Sequence, residues 1–360
     1  MRVSQIRWVL CRAMRILVTG GAGFVGSHAV VELARAGHEP VILDLLTNSS
    51  ERVLRNIEAV TGRQFSLYKY DCTDADLLRH VFAQEPIDAV MHFAGLKAVG
   101  ESVREPLRYY RNNLDSALSL TEAMAASGVR RLVFSSSCTV YGEPESLPLR
   151  EDARVGDNLP NPYGWTKLMQ EQIFRDVVVA DARWSVSVLR YFNPVGAHES
   201  GMLGEDPAGV PANVLPLLAK VAAGELERLQ VYGNDYPTAD GTGVRDYIHV
   251  VDLARGHLAA LDHLAAGETQ VFNLGTGHGT SVLELIQIFE RVSGRAIPYE
   301  FASRRPGDVA AAYADPTKAA RELGWKAERT VEDACRDLWR WKQRNPRGYA
   351  TATTTRAPGT

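Results

Sequence analysis

A tyrosine and a lysine four positions apart, Tyr163 and Lys167, form the pair in this sequence best suited to acid–base chemistry. Residues at positions i and i+4 share one face of a helix, so the lysine ammonium would lie one turn from the phenol. A nearby positive charge stabilises a phenolate and lets a group with a reference pKa of about 10 act as a base near pH 7. Ser137, in a serine cluster at the end of a predicted strand, could hold a substrate oxygen on the tyrosine. The same spacing also occurs by chance in solvated helices, but its place after the serine cluster predicts that Ser137, Tyr163 and Lys167 are catalytic.

A glycine-rich turn directly follows the first predicted strand and opens a helix, with glycines at Gly20, Gly23 and Gly26. Gly20 can make the tight turn, Gly23 lets the backbone approach a pyrophosphate, and Gly26 allows close packing of helix and strand. Asp44, 18 residues past Gly26, ends the second predicted strand and is placed to bond a ribose diol and to repel a 2′-phosphate. This order of strand, glycines and acid predicts NAD rather than NADP. The charge of an oxidised nicotinamide would then help the lysine to stabilise the phenolate.

The ends of the third and fourth predicted strands also carry candidate cofactor contacts. Asp71 and Cys72 end the third predicted strand and are candidate adenine contacts. The fourth strand ends in a turn of mainly small residues past which a dinucleotide could run, formed by Phe93, Ala94, Gly95 and Lys97. Each segment alone is typical of a structural turn, whereas their succession at strand ends favours a cofactor site.

The order of the predicted elements indicates an α/β fold. Short β-branched runs alternate with longer helical patterns, which is the rhythm of βαβ units and a parallel sheet. Strands are predicted at 16–19, 41–44, 66–71, 89–93, 132–136 and 186–190, and helices at 26–36, 74–84, 106–126 and 163–179. We therefore predict a doubly wound parallel Rossmann sheet of six strands over residues 14–191 as the NAD-binding domain.

Beyond residue 192 the sequence changes to loops rich in proline and glycine. Helices are predicted near 213–224, 252–266 and 280–293, and short strands at 229–232 and 270–274. This texture predicts a smaller α+β C-terminal lobe over residues 192–349, mainly for the substrate. Ligands of open α/β sheets bind at the carboxyl ends of the strands, so we expect the site in the cleft between the two parts.

The composition is that of a globular chain and excludes several classes of function. The 40 Lys+Arg and 43 Asp+Glu residues give a net charge of −3, and both signs are scattered along the sequence. The sequence therefore shows no basic cluster of the kind that binds nucleic acid or an acidic membrane. Four cysteines without CxxC spacing or histidine clusters indicate neither a metal site nor disulfides, and a reducing cytoplasm is expected. Residues 1–13 are predicted to be a disordered leader, with an apolar run too short for targeting, and residues 350–360 a disordered tail.

Four longer segments give the sequence a specific resemblance. They read HFAGLKAVGES from His92, RYFNPVGAH from Arg190, GNDYPT from Gly233 and GTGVRDYIH from Gly241. In these segments the chain, from residue 14 to about 349, resembles the family of UDP-glucose 4-epimerases, also called UDP-galactose 4-epimerases, within the extended short-chain dehydrogenases/reductases. The resemblance implies tightly held NAD, UDP-sugar substrates, a homodimer and a place in galactose metabolism.

The resemblance also implies a reaction. Tyr163 would deprotonate the sugar 4-hydroxyl while hydride passes to NAD, and the transient 4-keto sugar, still tethered by its UDP, would turn its other face to the bound NADH. Return of the hydride would give the 4-epimer. UDP-glucose and UDP-galactose would thus interconvert reversibly without net redox change.

Further site residues follow from the same resemblance, position by position. The additional cofactor-binding positions are Phe24, Val25, Asn48, Asn112 and Phe192. The substrate-binding positions, besides Lys97, Ser137 and Tyr163, are Tyr191, Asn193, Asn213, Tyr232, Arg245, Arg305, Asp308 and Ala312. The resemblance places Asn193 and the two arginines at the diphosphate, Tyr232 near the uracil and Asp308 at the uridine ribose. Arginine suits a diphosphate because its fork binds two oxygens at once, and no metal is implied.

Ala312 bears on the choice of substrate. In the resembling family this position lies beside the sugar 2-substituent, where a large aromatic residue restricts the enzyme and a small one admits N-acetylated sugars. Alanine therefore predicts that UDP-GlcNAc and UDP-GalNAc are also epimerised. A shift of one residue would place Tyr313 at this position and reverse the prediction.

Other functions remain open from the sequence. Related nucleotide-sugar enzymes include dehydratases and decarboxylases, and the dehydratases follow the active-site hydroxyl with Asp-Glu for elimination. This chain has Cys138 and Thr139 at those positions. A catalytically silent protein that senses a dinucleotide could share the same fold, but the intact catalytic set argues against it.

Overall fold

The computed structural model describes residues 13–350 except 208, 210, 212 and 306, so nearly all of the predicted leader and tail lie outside the described residues. Its strands are β1 (Arg15–Thr19), β2 (Glu39–Leu43), β3 (Leu67–Tyr68), β4 (Ala89–His92), β5 (Arg131–Ser137), β6 (Ser185–Tyr191), β7 (Asn193–Val195), β8 (Leu229–Tyr232), β9 (Val244–Arg245), β10 (Tyr247–His249), β11 (Glu268–Leu274), β12 (Thr280–Ser281), β13 (Tyr299–Ala302) and β14 (Ala311–Ala312). Its helices are α1 (Phe24–Arg35), α2 (Glu51–Thr61), α3 (Ala75–Gln84), α4 (Val99–Arg104), α5 (Pro106–Ser127), α6 (Pro162–Ala180), α7 (Val214–Ala222), α8 (Val250–Asp262), α9 (Val282–Ser293), α10 (Thr317–Glu322) and α11 (Val331–Arg344). No helix in the described ranges is long and apolar enough to cross a membrane.

Seven strands form one parallel sheet in the order β11-β6-β5-β4-β1-β2-β3. Successive side chains of a strand point to opposite faces, and β1 shows that both faces are covered. Ile16 and Val18 belong to the hydrophobic core that contains α1, whereas Leu17 belongs to the core that contains α3, α5 and α6. The predicted doubly wound α/β fold is confirmed.

The main sheet has one strand more than the six predicted. β11 pairs in parallel with the whole length of β6, and its Phe272 and Leu274 are fully buried. The assignment of residues 270–274 to the smaller lobe is therefore wrong. Helix α8, which precedes this strand, likewise packs on α1. A short apolar run shows that a strand is buried, but not which sheet receives it.

The chain leaves the main sheet at the end of β6 and enters a group of small sheets. β7 pairs with β10, β9 lies between β12 and β14, and β8 pairs with β13. In the β9–β14 pair, Ala312 lies opposite Arg245. Of the predicted substrate residues, four lie on these short strands: Asn193, Tyr232, Arg245 and Ala312.

A buried ion pair fixes α6 on the main sheet. Arg190 of β6 donates from Nε and Nη2 to the two carboxylate oxygens of Glu171, at 2.9 and 2.6 Å. The Ser136 hydroxyl of β5 donates to the same carboxylate at 2.6 Å. Glu171 is fully buried and Arg190 is 2% exposed, so removal of one partner would leave the other as an uncompensated buried charge.

We predict that Glu171→Ala lowers the free energy of unfolding by about 3 kcal/mol or more, because Arg190 loses its counter-charge in the core. Denaturation by urea, followed by circular dichroism, measures the change. The control is Glu227→Ala, since Glu227 pairs with Arg228 on the surface and its loss should cost less than about 0.5 kcal/mol. A loss below about 1 kcal/mol for Glu171→Ala would contradict the structural role of the pair.

Candidate active site

The glycine-rich turn leaves no room for side chains at two of its glycines. Gly20 has φ of +70°, and a Cβ there would lie 2.8 Å from the backbone nitrogen of Ala94. A Cβ on Gly26 would lie 2.2 Å from the carbonyl oxygen of Gly20, so α1 can start this close only with glycine. Gly23 is the N-cap of α1, whose first turn has no acidic side chain. The free amides of that turn suit an anion, and pyrophosphate binding stays a prediction.

Asp44 follows β2, and its carboxylate is tied to the same turn. Oδ2 accepts a hydrogen bond from the Ala22 backbone at 3.0 Å, and Oδ1 accepts from the Leu46 backbone at 2.8 Å and the Ser49 hydroxyl at 3.0 Å. These bonds fix the carboxylate beside the glycine turn. The predicted contact with a ribose diol requires this position.

The other predicted cofactor residues follow the edges of the same strands. Ala94 donates from its backbone to the Thr19 hydroxyl at 3.4 Å, so the turns after β1 and β4 touch. Asp71 accepts from the Thr73 backbone at 2.9 Å, and Cys72 is buried. Phe24 and Val25 form the first turn of α1, Asn48 lies in the loop after β2, Gly95 follows Ala94, and Phe93 lies with its ring 4.7 Å from that of His257.

The end of β5 and the start of α6 bring the predicted catalytic residues together. Ser137 is the last residue of β5, and Tyr163 and Lys167 occupy the first two turns of α6. Tyr163 is 9% exposed and Lys167 is 5% exposed. The Lys167 ammonium donates to the Ser135 carbonyl at 2.8 Å and lies 6.0 Å from the centroid of the Tyr163 ring. The predicted shared helix face is therefore formed.

Burial dominates the electrostatics of this pair. It raises the pKa of Tyr163 above its ordinary value, and the Ser137 hydroxyl opposes this by hydrogen bonding. Burial also lowers the pKa of Lys167 to about 7, against the attraction of Glu171. The protein's own side chains thus keep the phenol protonated at neutral pH. Stabilisation of the phenolate stays a prediction that requires further positive charge, which an oxidised nicotinamide would supply.

A buried asparagine that the sequence prediction missed connects the turn after β4 to α6. The side-chain oxygen of Asn113 accepts from the Leu96 backbone at 2.8 Å, and its amide donates to the Leu96 carbonyl and the Thr166 hydroxyl, at 3.1 and 2.9 Å. Thr166 in turn donates to the Tyr163 carbonyl at 2.8 Å. Asn112, the predicted residue, is half-buried on the same helix. The role of Asn112 stays a prediction. The burial of Asn113 follows from helical periodicity, since Tyr109 and Ala117, one turn before it and one turn after it, also face the core.

Several predicted substrate residues form a group around Arg305. Its guanidinium lies over the Tyr232 ring, 4.7 Å from the centroid, and its Nε donates to the Asp308 carboxylate at 2.9 Å. Burial raises the pKa of the Cys138 thiol to about 12, and the charge of Arg245 opposes this shift. Arg245 therefore lies within electrostatic reach of the residue that follows Ser137.

Ala312 faces the same region as Cys138. It belongs to a small apolar cluster with Tyr141 and Phe192, against which Cys138 packs. Tyr313 contacts a different part of the fold, since a Cβ on Gly279 would lie 3.2 Å from its ring. Ala312 and not Tyr313 therefore lies in the cluster that contacts the residues after Ser137.

The remaining substrate predictions lie on both sides of the end of β6. Tyr191 bonds through its hydroxyl to that of Ser135, and Asn193 begins β7 opposite Tyr247 of β10. Lys97 and Asn213, far apart in the sequence, converge on Glu205, which no sequence pattern singled out. Glu205 lies in a loop without periodic pattern, so only the fold shows its position.

Other sites are scarce in the described part of the chain. No group of three or more His, Cys, Asp or Glu residues there could hold a metal ion. A cavity of about 430 Å³ lies beside β11 and is lined by Arg150, Lys318 and Arg321 among others. None of the predicted site residues lines it.

Comparisons with known proteins agree with this arrangement. The model of the NAD dependent epimerase/dehydratase family matches residues 16–275. A UDP-glucose 4-epimerase of Bacillus subtilis (strain 168) is 57% identical over 340 residues, which are 94% of this chain and 100% of the relative. The crystal structure of the UDP-glucose 4-epimerase from Bifidobacterium longum in complex with NAD+ and UDP has a TM-score of 0.90 at 55% identity, over 93% of this chain and 99% of that one.

A more distant solved structure is also similar. The UDP-Glc/GlcNAc 4-epimerase from Campylobacter jejuni has a TM-score of 0.80 at 36% identity, and the match covers 92% of this chain and 100% of that chain. The family model and the near full-length identity lead to one conclusion. This chain belongs to the UDP-glucose 4-epimerases of the NAD dependent epimerase/dehydratase family.

Proposed function

We propose that this protein interconverts UDP-glucose and UDP-galactose by inverting C4 of the sugar, with NAD as its resident cofactor. The observation that carries the proposal is the position of Tyr163. It lies nearly buried at the start of α6, with the Ser137 hydroxyl as a hydrogen-bonding neighbour and Lys167 one turn away. The membership of the chain in this family supports the same reaction.

The turn between β1 and α1 fits a dinucleotide. Gly20 and Gly26 bring the backbone close where any Cβ would collide, and the first amides of α1 would hold the pyrophosphate. Asp44 would bond the adenosine ribose, and the turn after β4 would hold the nicotinamide end. When bound, NAD supplies the reversible oxidation of the sugar at C4.

The side chains of this protein would move and hold the proton. In the proposed reaction the Tyr163 side chain acts as the phenolate, which positive charge from the bound cofactor would stabilise. The phenolate oxygen takes the proton of the sugar 4-hydroxyl and becomes the phenol, and the phenol later returns the proton, while Ser137 Oγ holds the same sugar oxygen. Lys167, fixed on the Ser135 carbonyl, adds positive charge one turn away. Because one residue takes and returns the proton, the cycle leaves the enzyme unchanged.

The group around Arg305 would bind the UDP moiety. Arg245 and Arg305 are proposed to hold the diphosphate, Tyr232 to contact the uracil, and Asp308 to bond the uridine ribose. Tyr191, Asn193, Asn213 and Lys97 would complete the sugar and phosphate contacts. On this basis residues 14–191 form the NAD-binding part and 192–349 mainly the substrate part, with β11 and α8 assigned to the main sheet.

The experiment that tests the proposal is incubation of the purified protein with UDP-galactose, with the 4-epimer read by NMR. Heat denaturation of a second sample, followed by chromatography, shows whether NAD was bound. Formation of UDP-glucose with release of NAD is expected. A 4-keto-6-deoxy product would indicate a dehydratase. Absence of both turnover and NAD release would refute the proposal.

We predict that Tyr163→Phe lowers epimerisation by orders of magnitude, because it removes the proton acceptor and keeps the ring. NAD content and melting temperature should stay at the wild-type level. Tyr299→Phe is the matched control, since Tyr299 is exposed on β13. A loss below about tenfold in turnover would show that another group is the base.

We further propose that the enzyme accepts the N-acetylated substrates UDP-GlcNAc and UDP-GalNAc. Ala312 lies beside Phe192 and Cys138, and its methyl group occupies less volume there than the large aromatic side chain that would exclude an N-acetyl group. The similar Campylobacter jejuni protein, described as a UDP-Glc/GlcNAc 4-epimerase, supports such breadth in this fold. Tyr313 packs near Gly279, so it does not close this volume.

We predict that Ala312→Tyr abolishes turnover of UDP-GalNAc by steric exclusion and spares that of UDP-galactose within about threefold. Paired kcat/KM measurements on both substrates provide the ratio. Tyr313→Ala should leave that ratio unchanged. Absence of UDP-GalNAc turnover in the wild type, at enzyme levels that equilibrate UDP-galactose, would refute the proposal that N-acetylated substrates are accepted.

We also propose that the protein is a homodimer through α5 and α6, which pack side by side. Leu107 and Leu118, three turns apart on α5, are 82% and 44% exposed, and Met169 on α6 is 39% exposed. Trp165 and Ile173, one turn on each side of Met169, are half-buried. Exposed apolar side chains grouped on one face are typical of a protein–protein contact, and a second copy would cover them.

We predict that Leu118→Glu combined with Met169→Glu converts the dimer to a monomer, because two carboxylates per copy would be buried at the interface. Sedimentation velocity at micromolar concentration measures the state. Leu226→Glu, at an equally exposed leucine outside these helices, should leave it unchanged. A monomeric wild type would exclude the proposal.

We propose a cytoplasmic location for the protein. The three cysteines in the described part of the chain, Cys72, Cys138 and Cys335, are free thiols. Unpaired thiols are typical of a reducing compartment.

A further inference from the structure

We propose that Glu205 is a positioning residue, which holds Lys97 and Asn213 in the orientation that the UDP-sugar requires. The inference rests on the proposed function, since it takes these two residues as substrate contacts. Glu205 itself is outside every set predicted from the sequence. Its importance follows from what it connects.

The Glu205 carboxylate is the shared acceptor of two side chains. Lys97 Nζ lies 3.1 Å from Oε1, and Asn213 Nδ2 donates to Oε1 and Oε2 at 3.0 and 3.4 Å. The Glu205 side chain is 7% exposed, whereas that of Lys97 is 51% exposed. The Lys97 side chain is therefore accessible to a ligand, while its ammonium group is bound by the buried Glu205 carboxylate.

The backbone on both sides of Glu205 is fixed. The Gly204 N–H donates to the Tyr349 hydroxyl at 2.8 Å, and the Asp206 carboxylate accepts from the Tyr349 N–H at 2.7 Å. A Cβ on Gly204 would lie 2.5 Å from the ring of Trp341 in α11, so the backbone at Gly204 packs directly against this ring. These contacts fix the position of the Glu205 backbone.

The backbone on both sides of Lys97 is fixed as well. Asn113 bonds both backbone groups of Leu96, and the Ala98 N–H donates to the Tyr109 hydroxyl at 3.0 Å. The contact between Lys97 and Glu205 therefore joins two rigid segments that are 108 residues apart, one in each part of the molecule. Only the long lysine side chain is left to be oriented, and Glu205 provides its acceptor.

Removal of this acceptor should affect binding and not proton transfer. A lysine side chain has many rotamers, and their restriction costs free energy when the ligand arrives unless the chain is already held. Without Glu205, Lys97 and Asn213 would both lose their common partner. Tyr163, Lys167 and Glu171 are bonded to other groups, so their chemistry should persist.

The test is a double-mutant cycle of Glu205→Gln and Lys97→Met, assayed with UDP-galactose in the full-length enzyme. Glu205→Gln should raise KM about tenfold, change kcat less than threefold, and leave the pH profile of kcat and the NAD content unchanged. In the Lys97→Met background only the contact with Asn213 is left to lose, so Glu205→Gln should raise KM there by less than threefold. Glu227→Gln, at a surface ion pair, is the control.

Two results would overturn the proposal: additive effects in the cycle, or a fall in kcat at unchanged KM. If Glu205→Gln is insoluble, Glu205→Asp replaces it and should give a KM between those of the wild type and Lys97→Met. The proposed function is judged separately, by turnover of the wild type. If the wild type shows no turnover of UDP-galactose, the same cycle is measured as the Kd for UDP-galactose by calorimetry. Equal Kd values of the wild type and Glu205→Gln would then refute the role of Glu205.

Discussion

The docking of α6 on the main sheet is the constraint on which the site depends. Two of the three consecutive serines at the end of β5 make this contact. The Ser135 carbonyl holds the Lys167 ammonium and the Ser136 hydroxyl holds Glu171. The hydroxyl of Ser137, the proposed substrate contact, bonds Thr139 and takes no part in this attachment. The Glu171–Arg190 pair completes the attachment one turn further along the helix. A buried ion pair offsets its desolvation only with good geometry, and here every carboxylate oxygen accepts from a charged donor.

The same attachment sets the charge around Tyr163. Glu171 lies four residues after Lys167 on α6, yet its carboxylate is bonded to Arg190 and Arg175 and not to the lysine. Lys167 therefore faces the tyrosine with its charge only partly balanced, while burial lowers its pKa to about 7. Addition of a positively charged ring nearby would favour loss of the phenolic proton, and its conversion to a neutral ring would favour return of that proton. Proton transfer would in this way follow the state of the cofactor.

Local signals in the sequence were enough to predict the parts of the site that lie on one element. The glycine spacing, Asp44 and the Tyr163–Lys167 pair each follow from the geometry of a single turn or helix. Pairings across long distances could not be predicted in this way. β11 could be recognised as a strand but not assigned to β6, and the buried Asn113 beside the predicted Asn112 was not singled out. Glu205 became visible only when the fold placed Lys97 and Asn213 beside it.

These long-range pairings argue that the two parts of the chain do not form independent units. β6 has β5 on one side and β11 on the other, so a chain that ends at residue 191 would leave an edge of β6 unpaired. Helix α8 packs on α1, where Arg255 bonds Glu32 at 3.0 Å, and thus stabilises the helix that would hold the pyrophosphate. Lys97, in the turn after β4 of the main sheet, bonds Glu205 in the C-terminal part. One hydrophobic core contains residues of α1 in the main sheet part and of α11 at the C-terminal end. The spacing between the predicted cofactor and substrate residues is therefore set by packing.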